Sequence, residues 1–229
     1  MLLYVDKKQQ ALNAFKNASE MTFDASIQED ASLNYAKLSY EIGNSYQTVP
    51  EILLGFVKKY PNNASRPDIE RLLIDSYISS KNYKEALVLL EKNKGPENKL
   101  AYQKVTFYRG LELYTNRNYT EAGKMFNSSL EGAMDANFTA RALFWKGETE
   151  YVLQDFKNAL VSYKQFLVAP NATSTPEYKN SNYNIAYTYF KLKDYDQAAA
   201  YFQKQIDGGK LDTDRRNDAY LRLADSYFV

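Results

Sequence analysis

The chain has 229 residues, of which 45% are apolar and 25% are charged, and its formal net charge is +1 at pH 7. These ordinary values exclude a long disordered chain, and the balanced charge leaves no basic stripe for non-specific binding of nucleic acid. Cysteine and histidine are both absent. Their absence excludes a disulfide, a Cys or His zinc site, a Cys nucleophile and a Ser-His-Asp triad. We expect no metal and no cofactor. We also expect no direct membrane insertion, because no apolar run approaches about 18 residues.

Four copies of one short pattern recur through the middle and the C-terminal part of the chain. Each copy reads polar, aromatic, two polar residues and then alanine, and the alanines are Ala86, Ala122, Ala159 and Ala198. Successive alanines lie 36, 37 and 39 residues apart. Four residues after each alanine stands a large apolar side chain: Leu90, Phe126, Tyr163 or Phe202. Twelve residues before it stands Ile74, Gly110, Gly147 or Ala186. A period of this length is typical of stacked helical hairpins.

Weaker copies extend the period in both directions. Val49, Leu53 and Pro61 are in register upstream of the four clear copies. The chain begins with the second half of a repeat, at Ala11, Phe15 and Ala18, and ends with a first half, at Tyr220, Leu223, Ala224 and Tyr227. We therefore predict one array cut from a longer one: a second helix in 1–28, full repeats in 29–65, 66–101, 102–138, 139–177 and 178–211, and a first helix in 212–229.

The pattern resembles the tetratricopeptide repeat, a helix-turn-helix unit with small residues where its paired helices touch. Residues 140–167 are the clearest copy, through Leu143, Gly147, Tyr151, Phe156, Ala159 and Tyr163. The resemblance implies an all-α fold, a right-handed superhelical stack of antiparallel helical hairpins. It also implies a scaffold that binds a peptide or protein partner and performs no catalysis. A similarity of residues 56–63 to helix ends in tetratricopeptide proteins of the bacterial envelope implies a periplasmic location, with the cytoplasm as the alternative.

Small residues predict where paired helices meet, since interaxial distance follows side-chain size. We expect Gly147 to pack near Ala159, and Ala186 to pack near Ala198. The aromatic residues of the short pattern are expected to cover the hairpin turns, at Tyr119, Phe156 and Tyr195. Since one hairpin cannot bury its own apolar face, each copy depends on its neighbours. The cut ends are expected to permit self-association.

Acidic residues give no predicted catalytic or metal site. Glu148 and Glu150 stand two apart on a predicted helix and so point to different faces, which favours surface charge over the paired carboxylates of a glycoside hydrolase. The run from Asp212 to Asp218 lacks the central glycine of a calcium loop. We interpret that run as the start of a solvated helix.

The resemblance places partner contacts on the first helix of each hairpin, along a concave groove. Carried over to this sequence, the predicted groove consists of Arg71, Lys104, Phe107, Tyr114, Arg141, Phe144, Glu148, Tyr151, Asn180, Tyr183, Tyr187 and Phe190. The set is aromatic and modestly charged, as protein-binding hot spots are. An aromatic helix stripe is also common in a core, so part of the set is expected to be buried.

Two other functions fit a helical-hairpin array. Single-stranded RNA binding, one base per repeat, is the first, although the balanced charge and the variable period argue against it. A carbohydrate-active enzyme built as a closed helical toroid is the second, and the open ends argue against closure.

Overall fold

The computed structural model describes residues 2–93, 95–209 and 212–229, and side chains from residue 7 onward. Within these ranges the chain contains twelve α-helices and no β-strand, so the predicted all-α class is confirmed. The helices are α1 (Leu2–Glu20), α2 (Ala25–Ile42), α3 (Val49–Lys59), α4 (Arg66–Ser79), α5 (Tyr83–Lys92), α6 (Lys99–Thr115), α7 (Tyr119–Glu131), α8 (Ala136–Val152), α9 (Phe156–Val168), α10 (Ser181–Lys191), α11 (Tyr195–Asp207) and α12 (Thr213–Phe228). Short 3-10 turns span Pro96–Asn98, Ala172–Ser174 and Pro176–Asn180. The chain forms two compact units, Met1–Asn93 and Lys94–Val229.

The first unit packs α1 to α5 in chain order, each helix against the next. Leu53, Ile69 and Leu73 are fully buried in its core. Polar residues begin its helices: the Asp24 carboxylate accepts hydrogen bonds from the first amides of α2, and the Glu51 carboxylate accepts one from the backbone N–H of Thr48. These side chains satisfy helix amides that have no partner inside the helix.

The second unit packs α6 to α12 in the same consecutive manner. Antiparallel pairs α6–α7, α8–α9 and α10–α11 are hairpins, and α12 packs on α11. Fully buried aromatic rings, among them Phe107, Phe126, Phe166 and Phe202, form much of its core. The predicted stacking of helical hairpins is therefore present inside each unit.

One backbone motif closes four hairpin turns. The residue before each N-cap is left-handed, with φ of 60–64°, at Lys81, Arg117, Gln154 and Lys193. The amide of the following residue donates to the carbonyl five positions earlier, over 2.8–3.0 Å. This pairing satisfies carbonyls at the end of the first helix and offsets the roughly 1–2 kcal/mol that a left-handed L-residue costs. The repeated Asn or Asp that follows begins the second helix.

Aromatic pairs brace the last three of these turns. Ring centroids lie 5.2 Å apart for Tyr114–Tyr119 and 5.3 Å apart for both Tyr151–Phe156 and Phe190–Tyr195, all edge to face. Edge-to-face pairs at this distance are favourable because the ring edge is positive and the face negative. The predicted role of the turn aromatic residues is thereby explained: each packs on a ring five positions upstream.

Glycine in the first helix makes room for a ring in the second. A Cβ on Gly110 would lie 2.6 Å from the ring of Phe126, and one on Gly147 would lie 2.8 Å from the ring of Tyr163. The nearest atoms to Gly147 therefore belong to Tyr163, not to the predicted Ala159. The two partners are sixteen residues apart in both hairpins, and the ring, being larger than a methyl group, needs the space that glycine leaves.

Helix starts differ slightly from the predicted repeat boundaries. Helices α2, α6 and α8 begin at Ala25, Lys99 and Ala136, ahead of the boundaries at 29, 102 and 139. Helices α2 and α8 begin early because each has an aspartate N-cap. The Asp24 and Asp135 carboxylates each accept hydrogen bonds from two backbone amides in the first turn of the helix that follows. The division into repeats itself stays a prediction.

Candidate functional site

A cavity of about 260 Å³ opens between α8, α9 and α10 of the second unit. We call it the tyrosine cavity, and its walls are Glu148, Tyr151, Tyr163, Tyr183, Asn184 and Tyr187. Four of these six side chains are phenol rings. Tyr183 and Tyr187 lie one helical turn apart on α10, with ring centroids 5.0 Å apart. The cavity therefore combines aromatic walls with one carboxylate and one amide.

Glu148 carries the carboxylate of the tyrosine cavity. Its Oε1 accepts hydrogen bonds from the Tyr163 hydroxyl, over 2.6 Å, and from the Asn184 amide. Burial raises the pKa of Glu148 above its usual value, and these two donors and the nearby Arg215 act in the opposite direction. Burial also raises the pKa of Tyr163 well above its usual range, so this hydroxyl remains a neutral donor. Glu148 is therefore a half-buried group of the cavity wall, held by two neutral donors.

Two tyrosine hydroxyls of the cavity are held by α12. The Tyr183 hydroxyl donates to Oδ2 of Asp218 over 2.7 Å, and the Tyr187 hydroxyl donates to the same oxygen over 2.5 Å. Arg222 approaches the other oxygen of Asp218, with Nε 3.6 Å away. One carboxylate on α12 thus fixes the orientation of two rings on α10.

A second cavity of about 590 Å³ adjoins the first and shares Glu148, Tyr183 and Asn184 with it. We call it the arginine cavity, and its other walls are Arg141, Phe144, Trp145, Pro176, Glu177, Asn180 and Arg215. Because they share three wall residues, the two cavities are neighbours along α8 and α10, and we refer to them together as the groove.

Glu177 is the most buried charged group of the arginine cavity, with 6% of its side chain exposed. Its Oε1 accepts from Nε of Arg141 over 2.9 Å and from Nε1 of Trp145 over 3.0 Å. Its Oε2 is buried and has no hydrogen-bond partner among the described residues. The Arg141 guanidinium also stacks on the ring of Phe107, 4.8 Å from its centroid. Arg141 is therefore held on two sides.

The structure brings seven of the twelve predicted groove residues into this groove: Arg141, Phe144, Glu148, Tyr151, Asn180, Tyr183 and Tyr187. Phe107 is fully buried against Phe126 and Phe138, so the prediction that it faces a groove is wrong. Phe144, although a wall residue, is only 6% exposed. Both rings are core because a neighbouring helix covers this side of the stripe.

The remaining predicted residues lie outside the two cavities. Tyr114 and Phe190 pack on turn rings as described above, and Lys104 lies over the ring of Phe138 at 5.9 Å. Arg71 is in the first unit and pairs with Asp68, one turn away, over 3.2 Å.

Sequence reasoning missed several wall residues: Tyr163, Asn184, Trp145, Pro176, Glu177 and Arg215. The repeat pattern predicts Tyr163 only as a packing residue. Its position sixteen residues after Gly147 indicates that its ring reaches across the hairpin. Asn184 lies one residue from Tyr183 on α10, outside the predicted stripe. Glu177 belongs to a segment that the period marks as a loop, and no local signal identifies it as a ligand.

The described residues contain no group of three acidic side chains placed to hold a metal ion. Asp212 begins α12 as expected, accepting from the backbone amide of Arg215 over 2.9 Å, and this bond lowers the pKa of its carboxyl. No helix in the part of the chain that the structure describes has the length and apolar character to cross a membrane.

Comparison with known proteins gives one family match, the tetratricopeptide repeat, over residues 181–206. No curated protein matches. A signal-transduction ATPase of Pyrococcus horikoshii with a tetratricopeptide repeat sensor is 20% identical, with TM-score 0.46 over 88% of this chain and 32% of that one. A tetratricopeptide-repeat protein of Thermus thermophilus is 18% identical, with TM-score 0.40 over 88% of this chain and 100% of that one.

The TPR2AB domain of yeast Sti1, in a complex with pHSP90, is 13% identical, with TM-score 0.45 over 99% of this chain and 100% of that one. The matched residues 181–206 form the hairpin of α10 and α11. The same turn motif closes the hairpins α4–α5, α6–α7 and α8–α9. The hairpin of α10 and α11 therefore matches the tetratricopeptide repeat, and the three other hairpins share its turn motif.

Proposed function

We propose that the second unit binds a segment of a partner protein in the groove formed by the tyrosine cavity and the arginine cavity. Tetratricopeptide-repeat proteins generally mediate interactions between proteins. The observation that carries the proposal is that two neighbouring cavities share Glu148, Tyr183 and Asn184 as wall residues. Concave surfaces with aromatic walls and a few oriented polar groups are the usual form of a ligand site.

The geometry of the polar groups supports a peptide as the ligand. The wall contains an amide, at Asn180, whose side chain makes no capping hydrogen bond, and a second amide, at Asn184, beside the Glu148 carboxylate. Amide and carboxylate groups pair with the backbone and the side chains of an extended segment. The fixed rings add contact area with little further loss of conformational entropy.

The test begins with selection of binding peptides from a random library displayed on phage, using the unmodified chain. Affinity of the selected peptides is measured by calorimetry for the unmodified chain and for two variants. Asn180→Trp places a large ring in the arginine cavity and is expected to weaken binding by about tenfold or more, which corresponds to about 1.4 kcal/mol. The matched control, Asn158→Trp, changes an exposed asparagine on α9 and is expected to leave affinity unchanged.

Equal affinities for Asn180→Trp and the unmodified chain would place the binding surface elsewhere and refute the proposal. The RNA alternative is tested by gel shift with single-stranded RNA at low salt. The groove disfavours a phosphate backbone, because its two arginines, Arg141 and Arg215, are each paired with a carboxylate, whereas Glu148 has no salt bridge among the described residues and repels an anion.

A further inference from the structure

The charges around the tyrosine cavity do not balance. Arg141 pairs with Glu177 over 2.9 Å, and Arg215 pairs with Asp212 over 3.5 Å. Glu148 receives hydrogen bonds only from a phenol and an amide, both neutral. Among the described residues it has no salt bridge with lysine or arginine. The cavity therefore contains one carboxylate whose charge no cation offsets by direct contact.

Removing a carboxylate from water without a counter-ion is costly. The raised pKa of Glu148 reflects that cost, which burial dominates. The two neutral donors reduce the cost and hold the carboxylate in place, but both act on Oε1. Oε2 accepts no hydrogen bond from any described residue and is left for a donor from outside.

The rings that surround Glu148 have the complementary property. A phenol ring carries negative charge on its face and positive charge at its edge, so the rings attract a cation wherever a face borders the cavity. Tyr183 and Tyr187 cannot turn their hydroxyls toward the cavity without leaving Asp218. The wall that they present is therefore aromatic, and the carboxylate among the wall residues is Glu148.

We infer that the tyrosine cavity binds the cationic end of a lysine or arginine side chain from the partner segment, with Glu148 as its counter-ion. The inference rests on the proposed function and specifies one residue type of the ligand. A neutral apolar side chain would desolvate Glu148 further and supply no donor, and an acidic one would be repelled. A basic side chain supplies both the charge and the hydrogen bonds.

The experiment uses four small probes on the whole chain: N-acetyl-arginine amide, N-acetyl-lysine amide, N-acetyl-citrulline amide and N-acetyl-norleucine amide. Citrulline keeps the shape of arginine without its charge, and norleucine keeps the length of lysine. Binding is followed by NMR, through the side-chain amide signals of Asn184. We expect saturable shifts with the two cationic probes and not with the two neutral ones.

Variants then assign the binding to the cavity. Glu148→Gln is expected to weaken binding of the cationic probes about tenfold or more, as for loss of one charge-assisted contact. Glu121→Gln is the matched control: it removes a carboxylate of α7 that pairs with Lys124 outside both cavities, and binding should not change. Tyr151→Leu removes one ring and is expected to weaken binding roughly two- to fivefold.

Three outcomes would overturn the inference: no saturable shift with either cationic probe, equal shifts with norleucine or citrulline, or an unchanged affinity in Glu148→Gln. Circular dichroism tests whether each variant is folded. If Glu148→Gln does not fold, the affinity of Tyr151→Leu for the cationic probes decides the test. If library peptides bind in the groove but prefer no basic residue, the proposed function stands and the inference alone fails. If library peptides bind elsewhere, both fail.

Discussion

Substitution of Gly147 by alanine tests the packing rule on which each hairpin depends. The added Cβ would lie 2.8 Å from two carbons of the Tyr163 ring, closer than van der Waals contact allows. The ring cannot easily retreat, since Tyr163 is 1% exposed and its hydroxyl is bonded to Glu148. Overpacking of a core by one methyl costs about 1–3 kcal/mol, whereas alanine gains about 0.8–1.0 kcal/mol over glycine in a helix. The net effect is a loss of roughly 0–2 kcal/mol.

A matched control separates the two contributions. Gly123→Ala adds the same methyl to α7, where its Cβ would lie 3.4 Å from a methyl carbon of Thr149. Helix propensity improves equally in both variants, so their difference in free energy of unfolding measures the overlap alone, about 1–3 kcal/mol. Urea unfolding followed by circular dichroism at 222 nm measures it. Equal stability of the two variants would show that no ring occupies the space beside Gly147 and would refute the packing rule.

Three further perturbations test the site. Arg141→Ala leaves Glu177 charged and buried without its cation, and we expect a loss of about 3–5 kcal/mol in urea unfolding. Stability near that of the unmodified chain would contradict this burial. Tyr183→Phe removes one of two hydroxyls from Asp218 and should cost about 1 kcal/mol, since the group is half-buried; thermal unfolding that does not change would contradict it. Glu148 has a raised pKa in the folded chain, so its contribution to stability is present below pH 4.5 and is lost as the pH rises through the raised value. The free energy of unfolding of Glu148→Gln, relative to that of the unmodified chain, should therefore rise over that pH window. A difference that does not depend on pH would contradict this expectation.

The hairpins were predictable because their signals are local. A small residue sixteen positions before a large ring, as in Gly110 and Phe126, specifies where two consecutive helices touch, and the Asn or Asp at each turn marks the start of the second helix. The groove was predictable only in part. Helical spacing places Phe107, Phe144 and Glu148 in the same predicted groove set. It does not say which of these side chains a neighbouring helix covers.

Partners from distant segments were not predictable from the periodic pattern. Asp218, which orients two tyrosines of α10, lies on α12, and Glu177 lies in a connection between hairpins. No helical or turn pattern near either residue predicts which side chain it contacts. The envelope location also stays a prediction, since the periodic pattern carries no signal for it.

The departure from the regular period is what gives this groove its chemistry. Identical repeats would present the same surface from every hairpin, whereas the interval between Ala159 and Ala198 is the longest of the three. The connection between α9 and α10 contains two 3-10 turns, and the second turn contains Glu177. That turn brings a carboxylate onto Arg141 and Trp145 of the previous hairpin, which engages the Arg141 cation. Glu148, one turn from Trp145 on the same helix, accepts hydrogen bonds from a phenol and an amide and has no salt bridge among the described residues. The irregular connection thus pairs the Arg141 cation with a carboxylate of its own, and Glu148 is the carboxylate that the inferred cationic ligand would neutralise.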